Sequence, residues 1–304
     1  MANLVVPLEE RRTYGIGVLM LGQVILSTID PCAKFLSLGG LPIGEIIFIR
    51  YFVHLLMTLA TALPVQKTAL FKTRALWLEI ARGAALAAST LTNFLAVKFL
   101  PVTMTSSILN TTPLLVCVLS IPLLGEQVGW RRWLAIVVGF GGVLVVMRPG
   151  TADFNPAVFL SLGGALLGAF YNILIRKLAG IDSASTQQVY GAVLAVVCVA
   201  PFAFSGWVWP HDTPGWCVFA LIGVVGMTGH QLVTIAGKFA PASTLAPFQY
   251  LQIIYAAFIS WLVFGQPPTL GIYVGASIIV GSGLYLVLRE RATNKPVSLA
   301  IVED

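Results

Sequence analysis

Charged residues are scarce in this chain. Asp, Glu, Lys and Arg make up 10% of the 304 residues, whereas apolar residues make up 58%. Soluble domains carry about a quarter charged residues, and a soluble chain of this length has too little interior to bury so much apolar surface. The same composition excludes a disordered chain, a collagen and a disulfide-stapled secreted domain. We therefore expect a polytopic membrane protein.

Cysteine and histidine are also few. The four cysteines lie in apolar runs without metal-type spacing, so we interpret them as buried free thiols: Cys32, Cys117, Cys198 and Cys217. With three histidines and no HExxH, GxSxG or P-loop motif, the chain has no evident catalytic set. The sequence therefore predicts no enzyme activity, no metal and no cofactor.

The net charge of +6 does not require a nucleic-acid partner, because basic residues collect in the cytoplasmic loops of membrane proteins. Arg11 and Arg12 precede an apolar run, which resembles a signal peptide. No small-residue cleavage site follows, so we expect this run to remain as the first membrane span.

Ten apolar stretches have about the 20 residues that a helix needs to cross the hydrocarbon core. Short loops separate the stretches, and only a helical bundle satisfies all backbone groups within a bilayer. The predicted fold is an all-α polytopic membrane protein with ten transmembrane helices. The predicted spans are 14–38, 43–63, 76–98, 102–124, 129–147, 156–177, 186–206, 214–237, 241–264 and 270–288.

Lys and Arg are distributed unevenly over the predicted loops. With the N-terminus in the cytoplasm, 13 of the 18 Lys and Arg residues fall on the cytoplasmic side and 3 on the far side. Two more, Arg50 and Arg82, lie within spans. The positive-inside rule therefore predicts a multi-pass protein of the bacterial inner membrane with both termini in the cytoplasm.

The chain also repeats itself at an offset of 140. VKFLP at 97–101 matches GKFAP at 237–241, and the same offset pairs Gly125 with Gly265 and Gly141 with Gly281. Five spans per half is an odd number, so the halves must cross the membrane in opposite directions. We therefore predict two inverted five-helix repeats, residues 1–150 and 151–304, an architecture suited to alternating access.

The residues that carry a family resemblance begin at Pro101. A span with small polar residues and Pro113 follows, then Leu124-Gly125-Glu126, then a Gly-rich span that ends at Arg148-Pro149. This pattern resembles the EamA module of the drug/metabolite transporter superfamily, present twice. The second copy departs from it, because Gln266 stands where a Glu is usual. Within the superfamily the chain looks like the YddG-type exporters, which implies ten helices and export of aromatic and other neutral amino acids.

Two pairs of charged residues within the spans carry the argument, because charges in the membrane need partners. Asp30 and Arg50 stand at one depth in the hairpin of spans 1 and 2, so we expect an ion pair that either locks the two spans or lets Asp30 couple protons or hold a substrate ammonium. Glu79 and Arg82 are three residues apart on span 3, which predicts a local pair.

Uncharged polar residues in mid-span must face protein or water rather than lipid. Each either forms a hydrogen bond between helices or lines a substrate cavity, which its amide, hydroxyl or imidazole suits. The candidate substrate-binding residues are Gln23, Ser27, Ser89, Thr90, Asn93, Ser106, Asn110, Tyr171, Asn172, His230, Gln249, Tyr250 and Gln252.

The repeat sharpens this interpretation. At offset 140, Thr90 pairs with His230 and Asn110 with Tyr250, so a symmetric scaffold would carry an asymmetric lining. A solute with an amine and a carboxylate at one end and an apolar group at the other needs such a lining. His54, by contrast, has few polar neighbours along its helix, and we assign it a structural role.

Two prolines fall in equivalent spans. Pro113 lies in span 4 and Pro247 in span 9, and each removes a backbone hydrogen bond and can kink its helix. They are candidate hinges for gating, with a static kink as the alternative. The glycine pairs 164/168 and 271/275 predict close contacts between helices.

Together these features predict a secondary transporter for a neutral amino acid or a similar small amphipathic metabolite. Its expected partners are the substrate and the lipid bilayer, with no nucleic acid and no obligate protein partner. The alternatives are an uptake or exchange carrier for another metabolite such as a nucleotide sugar, and, from other classes, a channel or a membrane-embedded enzyme.

Overall fold

The computed structural model describes residues 12–125, 129–151, 154–178, 181–240, 245 and 248–293, and its regular elements are all helices. The first half contains α1 (Arg12–Ser27), α2 (Ile29–Leu38), α3 (Ile43–Gln66), a 3₁₀ helix (Lys67–Phe71), α4 (Leu76–Phe99), α5 (Val102–Leu109), α6 (Thr112–Leu124) and α7 (Trp130–Met147). The second half contains α8 (Val158–Leu178), α9 (Ala184–Phe204), α10 (Thr213–Phe239), α11 (Leu251–Phe264) and α12 (Leu270–Thr293).

The predicted polytopic helical fold is confirmed. Over the described residues, 9 helical segments are long and apolar enough to cross a membrane. The tenth predicted span, 241–264, is shorter in the described chain, because its helix α11 covers only the 14 residues Leu251–Phe264. Residues 241–244 and 246–247, including the candidate hinge Pro247, lie outside the described residues.

The inverted repeat is visible in the helix boundaries. Helices α4 and α10 end at Phe99 and Phe239, which are 140 positions apart. Gly125 and Gly265 end α6 and α11 in the left-handed conformation, with φ of 69° and 62°. Because glycine adopts this conformation without a Cβ clash, it ends both helices in the same way.

Two of the spans are interrupted rather than continuous. Span 1 divides between α1 and α2 at Thr28, and span 4 divides between α5 and α6 at Asn110 and Thr111. In each case a proline lies four residues after the end of the first helix, Pro31 after Ser27 and Pro113 after Leu109. The proline ring excludes the carbonyl group four residues earlier, so the first helix ends there.

The hinge prediction for Pro113 therefore needs correction. We expected a kink within one helix, but Pro113 stands in the first turn of α6, where the missing N–H costs no hydrogen bond. The span is interrupted just before Pro113, at Asn110 and Thr111. In the other half, α11 begins directly after Tyr250, 140 positions after Asn110.

The cysteine prediction also needs correction. Cys198 and Cys217 are exposed, whereas Cys32 and Cys117 are partly buried. Apolar sequence around a residue therefore does not distinguish a protein-facing from a lipid-facing position, since the outside of a membrane bundle is itself apolar.

Four helix pairs form the most extensive contacts, and each joins the two halves. Helix α4 packs on α8 and α1 on α10, and the repeat exchanges these two pairs. In the other two pairs, the repeat relates the two helices to each other: α7 corresponds to α12, and α3 corresponds to α9. The α7–α12 contact is very close, because a Cβ at Gly275 would lie 2.6 Å from the carbonyl oxygen of Gly142. The predicted close packing at Gly275 is confirmed.

We expect Gly275→Leu to lower the free energy of unfolding by about 1–3 kcal/mol, the usual range for overpacking. The added side chain would meet Val146 and the Gly142 backbone, neither of which can move aside freely. Gly281→Leu on the same helix is the matched control, because a Cβ there meets nothing within 4 Å. Thermal unfolding of both purified variants in detergent tests this, and equal melting temperatures would contradict it.

Chain direction defines two membrane sides. Lys67, the start of α1 and the segment between α6 and α7 lie on one, here called the Lys67 side. The loop after α2, the connection from α4 to α5 and the segment after α11 lie on the other, here called the Lys34 side.

Candidate functional site

A cavity of about 510 Å³ with many polar side chains in its lining lies between the halves. Helix α1, the break between α5 and α6, and helices α8, α11 and α12 line it. We call it the amide cavity, because its lining includes five amide side chains: Gln23, Asn110, Asn172, Gln249 and Gln252. Arg132, near the start of α7, marks its opening toward the Lys67 side.

These amides retain hydrogen-bonding capacity. Asn110 and Asn172 each use the amide nitrogen on their own helix, with bonds of 2.8 Å and 2.7 Å to the carbonyl oxygens of Ser106 and Gly168. Their carbonyl oxygens remain available. Gln23 is 5% exposed, and its Oε1 has no partner among the described residues. A ligand with donors and acceptors would satisfy these groups.

A second cavity of about 220 Å³ lies between α3, α4, α8, α9 and α10. Arg50, His54, Arg82, Tyr171 and His230 line it, and we call it the arginine cavity. It also reaches toward the Lys67 side, because Ala184 at the start of α9 belongs to its wall. Helix α8 contributes to both cavities through consecutive residues, Tyr171 here and Asn172 in the amide cavity.

The candidate residues therefore divide among several surroundings. Six line the amide cavity: Gln23, Ser106, Asn110, Asn172, Gln249 and Gln252. Two, Tyr171 and His230, line the arginine cavity. The other five are outside the described linings of both cavities: Ser27, Ser89, Thr90, Asn93 and Tyr250. Two of these five bond to backbone, since Ser27 Oγ donates to Val24 O and Ser89 Oγ to Gly164 O on α8.

The structure places His54, to which we assigned a structural role, beside the candidate residue His230. Its ring lies 6.1 Å from that of His230, centroid to centroid, and both line the arginine cavity. The available signal was its spacing, because His54 follows Arg50 by one helical turn on α3 and so shares its face.

For Asp30 and Arg50, the structure shows a charge interaction without a direct salt bridge. Asp30 Oδ1 accepts a hydrogen bond of 3.0 Å from Asn93 Nδ2, and Arg50 Nη1 lies 3.4 Å from Thr90 Oγ1. No direct ion pair joins Asp30 to Arg50 among the described residues. Both side chains approach α4 instead, at positions one turn apart. The break at Thr28 gives α2 its own orientation, and depth alone did not reveal which neighbour Asp30 would face.

Two further charged contacts involve buried residues. The predicted pair of Glu79 and Arg82 is confirmed, with Arg82 Nε 3.0 Å from Glu79 Oε2. On the Lys34 side, Lys34 Nζ donates to the carbonyl oxygen of Leu100 at 2.7 Å and to Gln266 Oε1 at 3.1 Å. Lys34 thus joins α2 to the segment that follows α11 of the other half, on the side away from both cavity openings.

Tyr250 offers a simple test of the site assignment. Its hydroxyl is buried without a partner among the described residues, so Tyr250→Phe should leave transport unchanged and should not lower the melting temperature. Tyr51 is the matched comparison, because its hydroxyl lies 2.6 Å from Thr90 Oγ1, and Tyr51→Phe should cost about 1 kcal/mol. Thermal unfolding and uptake assays measure both. Loss of transport in Tyr250→Phe would place this hydroxyl in the binding site after all.

Comparison with known proteins relates the whole chain to bacterial transporters. It is 28% identical over 285 residues to the S-adenosylmethionine uptake transporter of Rickettsia felis, covering 92% of this chain and 95% of that protein. It is 32% identical over 184 residues to the riboflavin transporter of Vibrio cholerae, covering 60% of this chain and 62% of that protein. The pseudopaline exporter of Pseudomonas aeruginosa is 24% identical over 267 residues, 88% of this chain and 93% of that protein.

A solved structure shares the fold. One crystal structure superposes on this chain with a TM-score of 0.62 at 17% identity. The match covers 93% of this chain and 100% of that chain. The sequence profile of the EamA-like transporter family matches the chain twice, at residues 13–148 and 155–289. Two matches that span both halves, on a fold of inverted helical repeats, show that this chain belongs to the EamA-like transporter family of the drug/metabolite transporter superfamily, whose members are small-molecule transporters.

Proposed function

We propose that the chain exports neutral amino acids or closely similar metabolites by alternating access, with the amide cavity as the substrate site. One observation carries the proposal: five amide side chains line a cavity whose described lining contains no acidic residue. A zwitterion has no net charge but needs both donors and acceptors. Amide groups supply both.

The amide cavity also has a wall suited to an apolar side chain. Leu109, Val116 and Leu286 line it beside the amides, so an amphipathic solute could place its polar head and its apolar group on different surfaces. The partnerless Oε1 of Gln23 would accept a hydrogen bond from the substrate ammonium. Donors for the carboxylate would come from Gln249 and Gln252.

The proposed transport cycle uses the two membrane sides. Both cavities open toward the Lys67 side, while the Lys34 contacts hold helices of both halves together on the other side. With the Lys and Arg excess in the cytoplasm, the Lys67 side would face the cytoplasm and the inner membrane would be the location. A substrate would then enter from the cytoplasm before the Lys34 side opens.

S-adenosylmethionine uptake is a second candidate, favoured by a relative of that name that matches 92% of this chain. S-adenosylmethionine carries the same amino-acid head group, so the amides suit that end equally well. Its sulfonium would seek an acidic or aromatic partner, and the described lining of the amide cavity contains neither. The lining therefore favours a substrate without net charge.

Uptake by liposomes tests the proposal. The purified protein is reconstituted, and entry of labelled leucine, phenylalanine and threonine is followed with and without an imposed pH gradient. Saturable uptake that unlabelled amino acids suppress is the expected result. Uptake of labelled S-adenosylmethionine with no amino-acid competition would select the second candidate. No amino-acid uptake above empty liposomes, from protein shown to be folded, would overturn the proposal.

A further inference from the structure

Arg50 is a buried cation that forms no direct salt bridge in the described chain, although its charge also acts on the carboxylate of Asp30. Its side chain lies on α3, and the residue is 7% exposed. Nε has no hydrogen-bond partner among the described residues, and Nη1 has only the long 3.4 Å contact with Thr90. An ionised group within a membrane protein usually has a partner and is by default a candidate functional group.

The acids near Arg50 are already engaged. Asp30 accepts its hydrogen bond from Asn93, and Glu79 is paired with Arg82. The other stabilising contacts of Arg50 are aromatic faces, with its Cζ 4.6 Å from the Tyr51 ring centroid and 5.7 Å from that of Phe94. Cation–π contacts offset part of the cost of a buried charge but leave the guanidinium N–H groups unsatisfied.

The space beside Arg50 is a cavity rather than packed protein. The arginine cavity of about 220 Å³ has a second guanidinium, Arg82, and two imidazoles in its wall, and its described lining contains no acidic residue. Glu79 balances the charge of Arg82, so the attraction for an anion comes from Arg50, whose Nε has no hydrogen-bond partner among the described residues. The planar fork of arginine matches a carboxylate with two parallel hydrogen bonds.

We propose that the arginine cavity is a second binding site, distinct from the amide cavity, in which a small carboxylate pairs with Arg50. Arg82, whose charge Glu79 balances, would form part of the wall of the site. Tyr171 and the two histidines would offer hydrogen bonds to the rest of the ligand. The carboxylate is either the head group of a transported amino acid or that of a free carboxylic acid. This inference rests on the proposed function only in its choice of probes.

Three related probes separate these sources: leucine, leucinamide, which lacks the carboxylate, and 4-methylpentanoate, which lacks the amine. Binding to the purified full chain in detergent is measured by calorimetry. We expect 4-methylpentanoate to bind the unmodified protein and Arg50→Gln to weaken this binding at least tenfold. Leucinamide should show no dependence on Arg50. If leucine alone binds in an Arg50-dependent manner, the site recognises the amino-acid head group instead of a free acid.

Arg131→Gln is the matched control, because this arginine is exposed on α7, stacks on Trp130 and lines neither cavity. It should bind all three probes as the unmodified protein does. The proposal is overturned if no carboxylate probe binds the unmodified protein, or if Arg50→Gln binds the carboxylates equally well.

Gln188→Glu keeps the proposal testable if Arg50→Gln does not fold. Gln188 lines the same cavity, so the substitution would place a tethered carboxylate there with little change in shape. It should raise the melting temperature and abolish binding of free 4-methylpentanoate. Unchanged binding would count against the proposal.

The two proposals can fail separately. The double variant Gln249→Leu/Gln252→Leu should lose leucine uptake but keep Arg50-dependent binding of 4-methylpentanoate, because its changes lie in the amide cavity. Binding of this acid without any leucine transport by the unmodified protein would reject the proposed function alone. Leucine transport without any Arg50-dependent binding would reject the second site alone.

Discussion

Arg82→Met is expected to lower the free energy of unfolding by about 3–5 kcal/mol, the range for removing one partner of a buried ion pair. Glu79 is 0% exposed and Arg82 2%, so methionine would leave a carboxylate in the interior without its cation. Glu79 Oε1 has no other partner among the described residues. Arg82 Nη2 also donates to the carbonyl oxygen of Gln187, which ties α4 to α9. Denaturant-induced unfolding of purified protein in detergent measures the loss.

The double variant Glu79→Gln/Arg82→Met separates charge from packing. It removes both charges together, so it should lose much less stability than Arg82→Met alone. Arg131→Met, at an exposed position of α7, serves as the control for removing an arginine. If Arg82→Met unfolds at the same denaturant concentration as Arg131→Met, the pair contributes nothing.

The double variant Gln249→Leu/Gln252→Leu is expected to lower kcat/KM for leucine uptake at least tenfold. Both side chains line the amide cavity, and no intramolecular hydrogen bond occupies them among the described residues. Hydrogen bonds to charged groups contribute about 1.5–3 kcal/mol each, and about 1.4 kcal/mol corresponds to a factor of ten. The loss should therefore be large even if only one amide contacts the carboxylate.

Gln231→Leu is the matched control for this pair. It makes the same chemical change at an exposed residue of α10 that lines neither cavity. Its uptake should equal that of the unmodified protein, and its melting temperature reports any general effect of leucine. Full activity of the double variant would remove the amide cavity from the proposed substrate path.

The sequence predicts the helices and the repeat well, because both depend on patterns along the chain. Apolar stretches of membrane length located the spans. The offset of 140 paired Phe99 with Phe239, and the structure shows that these residues end α4 and α10. The break at Thr28 had an equally local cause in Pro31. The proline alone does not settle the matter, because an apolar run of this length also fits a continuous helix.

The site was less predictable, because it depends on how each helix is rotated about its axis. Depth in the membrane can be counted from a loop, and it suggested that Asp30 faces Arg50. The rotation of α2 about its axis decides which residue forms a hydrogen bond with Asp30, and this residue is Asn93 on α4. The rotation of α10 was equally unknown from the sequence. We therefore grouped His230 with the amides, whereas α10 directs it into the arginine cavity.

The self-paired contact of α7 with α12 has a consequence for motion. If the two halves exchange conformations during transport, every contact between them is replaced by its repeat-related counterpart. A pair that the repeat maps onto itself is the exception, since exchange returns the same two helices to each other. The packing of α7 on α12 would then persist while the cavity-lining helices reorient about it. This packing would guide the motion of the other helices, and the packing of α3 on α9 would do the same.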